Sequence, residues 1–252
     1  GGLSGLSLAY FLQGTSLVLE KEAQLGGLCR SYSFNRVMHD IGPHALFSKN
    51  RTMLSWVTSL LKTAVLRRSN KILHAGKLIK YPFENDLASL DEDERSYCLD
   101  AFLNNPYARY PAKNMLQFFL KTFGEGITRL YLQPYNEKIW KFDPAFMDTQ
   151  MVERIPSPPR QDVIDSAHGR ETEGYLHQLH FHYPHQGGMQ SLIDTLAALI
   201  EEKTQIVHPV AIKSIVRTNG TWVVDTDRGA FTGDPLISCI PLHELMQYLE
   251  AP

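Results

Sequence analysis

Glu20 closes the short apolar run Ser16-Leu17-Val18-Leu19, and the chain ahead of it opens with Gly1-Gly2-Leu3-Ser4-Gly5. A glycine turn leading into a helix, followed by a strand that ends in a carboxylate, is an arrangement able to hold a dinucleotide. The spacing reads as the back half of G-x-G-x-x-G, with the first glycine outside the sequence given. Gly2 would let the backbone approach a pyrophosphate and Gly5 would let the helix pack closely on a sheet. The N–H groups and positive dipole end of the helix would face the phosphate. Glu20 would take the ribose hydroxyl pair. Leu25-Gly26-Gly27-Leu28-Cys29-Arg30 follows directly; its two glycines can turn N–H groups toward phosphate, and Arg30 can add a guanidinium. In Asp40-Ile41-Gly42-Pro43-His44, Gly-Pro sets a rigid backbone able to lie against a flat ring. His44 is a candidate for contact with that ring or with substrate, against the commoner reading of a hydrogen-bonded structural histidine.

Other reactive side chains carry less. His177, His180, His182 and His185 repeat as H-x-x-H-x-H-x-x-H. On a strand, His180 and His182 share a face that His177 does not, and no cysteine or well-spaced carboxylate completes a ligand set. No metal is assigned; the segment is read as a polar strand of the substrate cleft. The three cysteines, Cys29, Cys98 and Cys239, are far apart and odd in number. That usage suits free thiols in a reducing compartment, and the expectation is cytoplasmic. Asp91-Glu92-Asp93-Glu94 reads as a solvated acidic helix start.

The elements that must position these residues follow from periodicity. A helix over Leu3–Leu12 precedes the strand ending at Glu20. A helix capped by Asn50 covers 50–61. Residues 71–80 read as a hairpin turning at Ala75-Gly76, and 84–140 are mainly helical, one apolar helix ending at Gly124. Residues 155–175, rich in Pro, Gly and charge, read as a loop. Met189–Glu202 is an amphipathic helix. The segments 211–218 and 221–226 flank Asn219-Gly220, a strong hairpin signal, and Leu236–Ile240 reads as a buried strand. This order predicts an α/β chain in which a cofactor domain is interrupted by a substrate domain: residues 1–70, then 71–185, then a return over 186–252.

At 252 residues and 43% hydrophobic content the chain can bury a large core. A net charge of -2 gives no electrostatic footprint for nucleic acid. No run of 18 apolar residues is present, so no spanning helix is expected. The motif begins without its strand and both ends look cut, so the expectation is a piece of a longer protein that alone holds its cofactor poorly.

Taken together, Gly-Gly-Leu-Ser-Gly-Leu, Val-Leu-Glu-Lys, Leu-Gly-Gly-Leu-Cys-Arg-Ser and Asp-Ile-Gly-Pro-His, in that order, resemble the FAD flavoproteins of the amine oxidase and protoporphyrinogen oxidase-like superfamily, which includes UDP-galactopyranose mutase. The resemblance covers essentially the whole chain. It implies a Rossmann-like, glutathione-reductase-like FAD-binding domain interrupted by a mainly helical substrate domain. It implies FAD as cofactor, held by Gly2, Gly5, Glu20, Lys21, Gly26, Gly27, Leu28 and Arg30. Gly42, Pro43 and His44 would run beside the isoalloxazine. Val210, in His208-Pro209-Val210, would meet the adenine, and Ser238-Cys239-Ile240-Pro241 resembles a strand end near the flavin. Within the superfamily, Pro134-Tyr135-Asn136-Glu137-Lys138-Ile139-Trp140 resembles the Tyr-Thr-x-Lys-Gln-Trp element of the mutases, with Ile139 in place of Gln. Arg154-Ile155-Pro156 and Arg160 resemble an Arg-Leu-Pro-x-Arg stretch whose arginine binds a nucleotide diphosphate, here stretched in spacing.

The resemblance therefore implies His44, Tyr135, Trp140, Arg154 and Arg160 as catalytic or substrate residues, though Tyr135 and Trp140 could equally be a packed aromatic pair. The expected partner is a small molecule, a nucleotide-sugar being one candidate. The leading function is an FAD-dependent oxidoreductase. The alternatives are a UDP-sugar mutase without net redox, and a non-catalytic binding protein like the Rab GDP-dissociation inhibitors and escort proteins, against which Glu20 and Gly26-Gly27 argue.

Overall fold

A computed structural model describes residues 1–155, 157–173 and 179–249. The chain runs α1 (Leu3–Phe11), β1 (Ser16–Leu19), β2 (Ser31–Phe34), β3 (Val37–Asp40), α2 (Arg51–Ser59), β4 (Thr63–Arg67), β5 (Lys71–His74), β6 (Lys77–Lys80), α3 (Glu92–Leu103), α4 (Met115–Ile127) and α5 (Gln133–Trp140). It continues through α6 (Arg160–Ala167), β7 (His180–Pro184), α7 (Gln190–Ile200), β8 (Thr204–Val207), β9 (Ile212–Thr218), β10 (Thr221–Thr226), β11 (Gly229–Gly233) and α8 (Leu242–Tyr248). Two compact units result: Gly1–Leu66 with Phe181–Pro252, and Arg67–His180.

The first unit is an α/β layer structure. β1 and β8 pair in parallel, from Ser16 opposite Thr204 to Leu19 opposite Val207. Parallel strands need a crossover between them, and here that connection carries most of the chain. The apolar stripes of α1 and α7 pack together through Leu6, Ala9, Leu192, Ile193 and Leu196, all buried. The α1 stripe runs out at Leu12, where the Lys203 ammonium donates to the carbonyls of Tyr10 and Leu12 at 2.7 and 2.9 Å. A cation at the negative end of the helix dipole satisfies carbonyls that the helix leaves open. Asn50 caps α2 as its side chain suggests, accepting from the Met53 N–H. The antiparallel sheet β9–β10–β11 turns at Asn219 and Gly220, both at positive φ, the conformation a two-residue hairpin loop requires.

The second unit is built on α3, α4 and α6, with Phe83, Leu87, Cys98, Phe119, Phe123, Ile127 and Val163 in its core. The hairpin β5–β6 turns at Ala75-Gly76 as read from sequence, with Lys71 opposite Lys80 and His74 opposite Lys77. The acidic run fills the first turn of α3, where Lys77 pairs with Asp91 and His74 with Glu94.

Two readings are corrected. Residues 155–175 are not all loop: α6 occupies Arg160–Ala167. Its buried Val163 and Ala167 repeat at i,i+4, a two-turn signal diluted by the surrounding proline and charge. Leu236–Ile240 forms no strand; Ile237 is half exposed and no ladder joins the segment to the described strands. An apolar run becomes a strand only with a neighbour to bond. The apolar helix does break at Gly124, where the backbone leaves helical geometry at φ 74, and a short helical stretch then runs on to Ile127.

The kink serves close packing. A Cβ on Gly126 would stand 2.6 Å from the Cα of Cys98 on α3, and one on Gly124 would stand 2.4 Å from the Ala101 carbonyl oxygen. Backbone cannot yield as a flexible side chain can. Gly126→Ala is therefore expected to destabilise the chain by about 1–3 kcal/mol, the range of core overpacking. A shift in urea midpoint at constant slope reads this; an unchanged midpoint would show that the helices separate without cost.

Candidate functional site

In the first unit the two glycine turns meet. The Gly26 N–H donates to the Gly1 carbonyl at 2.8 Å, and Gly2 and Gly26 form a parallel bridge. A Cβ on Gly27 would stand 3.4 Å from the Cα of Gly2, and one on Gly26 3.0 Å from Cγ of Arg30 and 3.3 Å from Cγ1 of Ile193. Gly26 and Gly27 also take positive φ, 124° and 55°, which other residues rarely adopt. Side chains here would fill the cradle between the turns.

Gly2 caps α1 with extended backbone. Among the described residues no side chain bonds the first-turn N–H groups, and no acid stands in that turn. A helix start without its own capping oxygen is suited to an external anion. The Arg30 Nε donates to the Gly27 carbonyl at 2.9 Å and its Nη1 lies 3.6 Å from Glu22, so the guanidinium braces the turn. Leu28 is exposed.

Glu20 follows β1. Its carboxylate accepts from the Glu22 N–H at 2.9 Å and lies 3.0 Å from the Gly1 backbone nitrogen. Burial opposes its ionisation, while the Glu22 N–H bond and the nearby Arg30 charge favour it. It stays an acceptor at neutral pH, as a ribose diol needs. The Val210 N–H is engaged by the Glu20 carbonyl at 2.9 Å. Gly2, Gly5, Glu20, Gly27, Val210 and Cys239 line one open groove of about 2100 Å³. Lys21 points its charge to Glu244 at 2.9 Å.

Gly42, at φ 74, and Pro43 are exposed, and His44 is half-buried. The Nδ1 of His44 is buried with no hydrogen-bond partner among the described residues. Asp40, four residues earlier, is fully engaged. It accepts from the Ser31 hydroxyl at 2.5 Å, the Met189 N–H at 3.0 Å and the Tyr183 hydroxyl at 2.7 Å. Ser31 in turn accepts from the Gln190 N–H at 3.0 Å. Together they close the N-terminus of α7 over Gly188, where a Cβ would lie 2.5 Å from the Ser31 hydroxyl. Burial opposes ionisation of Asp40, but these three donors hold its carboxyl low. Burial first, and the bond to Asp40 second, push the Tyr183 hydroxyl up to about 12. The bonds of Ser31 and Tyr183 to Asp40 escaped the sequence reading: they span 9 and 143 residues, and no local spacing links them.

In the second unit, Tyr135 and Trp140 lie on α5, each about two-fifths exposed. Tyr135 stacks on Tyr131 (ring centroids 5.1 Å apart), and Tyr131 on Phe83 (4.9 Å). The Trp140 indole N–H bonds Asn136 at 3.2 Å. A π-helical turn, Thr128–Leu132, precedes α5. Pro134 cannot donate to the Leu130 carbonyl, and the wider turn accommodates that gap. Arg154 ends a 3-10 segment, its side chain outside the described residues; Arg160 is exposed at the start of α6. His177 lies outside the described residues. His182 bonds Thr63 at 3.1 Å, and no group of three or more metal-ligating side chains stands among the described residues. Nor is any described helix long and apolar enough to cross a membrane.

Comparison with known proteins agrees with this architecture. Residues 1–60 match the NAD(P)-binding Rossmann-like domain family, consistent with a dinucleotide cofactor. Among solved structures, a reduced UDP-galactopyranose mutase is similar at 26% identity and TM-score 0.86, over 99% of this chain and 56% of that one. A protein provisionally assigned as a protoporphyrinogen oxidase from Exiguobacterium sp. 255-15 matches at 20% identity and TM-score 0.70, over 98% and 59%. A putrescine oxidase double mutant matches at 13% identity and TM-score 0.61, over 100% and 59%. The chain thus spans less than two thirds of the length of each of these.

Proposed function

Because the chain shares the fold of the amine oxidase, protoporphyrinogen oxidase-like and mutase flavoproteins, we propose that it binds FAD and serves as an FAD-dependent oxidoreductase of a small organic substrate. The observation that carries this reading is the apposition of Gly2 with Gly26-Gly27 at the uncapped start of α1, with Glu20 lining the same groove. Bound FAD would supply hydride acceptance. The chain's own residues bind and orient. The α1 start would offer its N–H groups to the pyrophosphate, and Gly26-Gly27, whose Gly26 N–H is taken by the Gly1 carbonyl, would leave the room a side chain would fill. Glu20 accepts from the adenosine ribose and Val210 lines the adenine end. The Gly42–His44 loop would run beside the ring, and the orphaned Nδ1 of His44 leaves a polar atom for a ligand there.

A second reading, a nucleotide-sugar enzyme without net redox, is favoured by the higher likeness to the mutase. The Phe83–Tyr131–Tyr135 stack, whose last ring is partly exposed, also suits a base. In that reading Tyr135, Trp140, Arg154 and Arg160 serve the substrate. The full-length protein is expected to be yellow and to bleach with dithionite; a colourless preparation that takes up no flavin overturns both readings. If a nucleotide-sugar is the substrate, Arg154→Ala or Arg160→Ala should raise its dissociation constant roughly tenfold to a hundredfold, the loss of a charge-assisted phosphate contact. FAD content should not change. Unaltered affinity for UDP-sugars in both variants would leave the oxidoreductase reading alone.

A further inference from the structure

Dinucleotide-binding folds separate two ribose types at the end of the strand after the glycine turn. A carboxylate takes a 2′-hydroxyl, and a nearby cation takes a 2′-phosphate. Here both residue types are adjacent, Glu20 and Lys21; the sequence assigns the ribose hydroxyls to Glu20 and leaves open what offsets the Lys21 charge. The tertiary structure supplies a third group. Glu244, in the first turn of α8, stands 2.9 Å from the Lys21 ammonium, and both residues line the groove that holds Glu20.

We propose that Glu244 neutralises Lys21 and so makes this groove selective for an adenosine ribose that carries no 2′-phosphate. The inference rests on the dinucleotide reading of the groove and adds its ligand specificity.

Three features support it. First, the pair is placed by the fold: α8 follows Pro241 as its N-cap, packs on β9, and is tied back by a bridge between Ile215 and Leu249. Second, Lys21 is held in its charged form, chiefly by the hydrogen bond to Glu244, with further attraction from Glu244, Tyr248 and Glu22; its charge is spent on protein acids. Third, Glu20, Glu22, Glu201, Glu202, Asp234 and Glu244 line this groove against Lys21, Arg30 and Lys203, and Arg30 already bonds the Gly27 carbonyl and lies near Glu22. A 2′-phosphate brings a charge of about -1.5 to -2 and would meet this excess of like charge. An exposed pair of this kind adds little to folding stability, so Glu244 can be changed without unfolding the chain.

The test uses 5′-AMP and adenosine 2′,5′-bisphosphate, which differ only by the 2′-phosphate, titrated into full-length protein freed of flavin. The unaltered protein should bind 5′-AMP at least about tenfold more tightly than the bisphosphate. Glu244→Gln should narrow that ratio by roughly threefold to tenfold, and more so at low salt. Adding Lys21→Gln to Glu244→Gln should restore the preference for 5′-AMP. Equal binding of the two nucleotides by the unaltered protein, or a ratio unmoved by Glu244→Gln, overturns the inference while leaving the site intact. Failure of both nucleotides to bind overturns the dinucleotide reading of the groove itself.

Discussion

Replacing Glu20 by Ala is expected to weaken FAD binding by about 1.5–3 kcal/mol, the scale of a hydrogen bond to a charged group. That is roughly tenfold to a hundredfold in dissociation constant. The carboxylate follows a strand locked in register by Ser16–Thr204 and Leu19–Val207 pairing. It is already oriented by the Glu22 N–H at 2.9 Å, so it needs no reorganisation to accept from a ribose. Loss of this acceptor should leave the fold intact, because the Glu20 backbone bonds to Val207 and Val210 survive the change. Flavin fluorescence titration of the apoprotein measures the effect. Unchanged affinity would show that Glu20 is not the ribose ligand.

Asp40→Ala is expected to destabilise the first unit by about 1–3 kcal/mol, the lower half being favoured by its partial solvent access. One carboxylate satisfies the Ser31 hydroxyl, the Tyr183 hydroxyl and the Met189 N–H. Its removal leaves those donors without their acceptor at the start of α7, where negative charge also suits the helix dipole. The pH dependence has a defined sign. The folded-state carboxyl sits below its ordinary value, so its ionic contribution is fully present above the ordinary carboxylate range. That contribution is lost as pH falls through the depressed value. The gap between the unaltered protein and Asp40→Ala should therefore be largest near neutrality and shrink in acid. Asp40→Asn keeps an acceptor and should recover part of the stability but none of this pH dependence. Urea midpoints across the acid range check it; a gap that is flat with pH would mean the loss is packing rather than charge.

How much of this was legible in advance depends on how local each signal is. The fingerprint remnant, the strand ending at Glu20, the Asn50 cap, the hairpin at Asn219-Gly220 and the turn of β5–β6 are all set within a few residues. Each follows from backbone conformations that only certain side chains permit. Helix α6 was hidden because two turns of i,i+4 burial are outweighed by Pro158, Pro159 and charge in any composition window. The segment 236–240 misled in the opposite way. Its apolar residues have strand character, but pairing is a property of a neighbour, not of the segment itself.

The candidate site divides along the same line. The sequence by itself determined which residue types stand where a dinucleotide could be held: Gly2, Gly26, Gly27 and Glu20, each required by a local turn or a strand end. Only the tertiary structure decided that the two glycine turns face one another. It also decided that Arg30 braces its own turn, that Asp40 is bonded by Tyr183 and Met189 from the far end of the chain, and that Lys21 is matched by Glu244. Those contacts span up to 223 residues. No periodicity encodes them, because they come into being only when α7 and β8 fold back onto the first 40 residues and bury a shared core, and α8 brings Glu244 to Lys21.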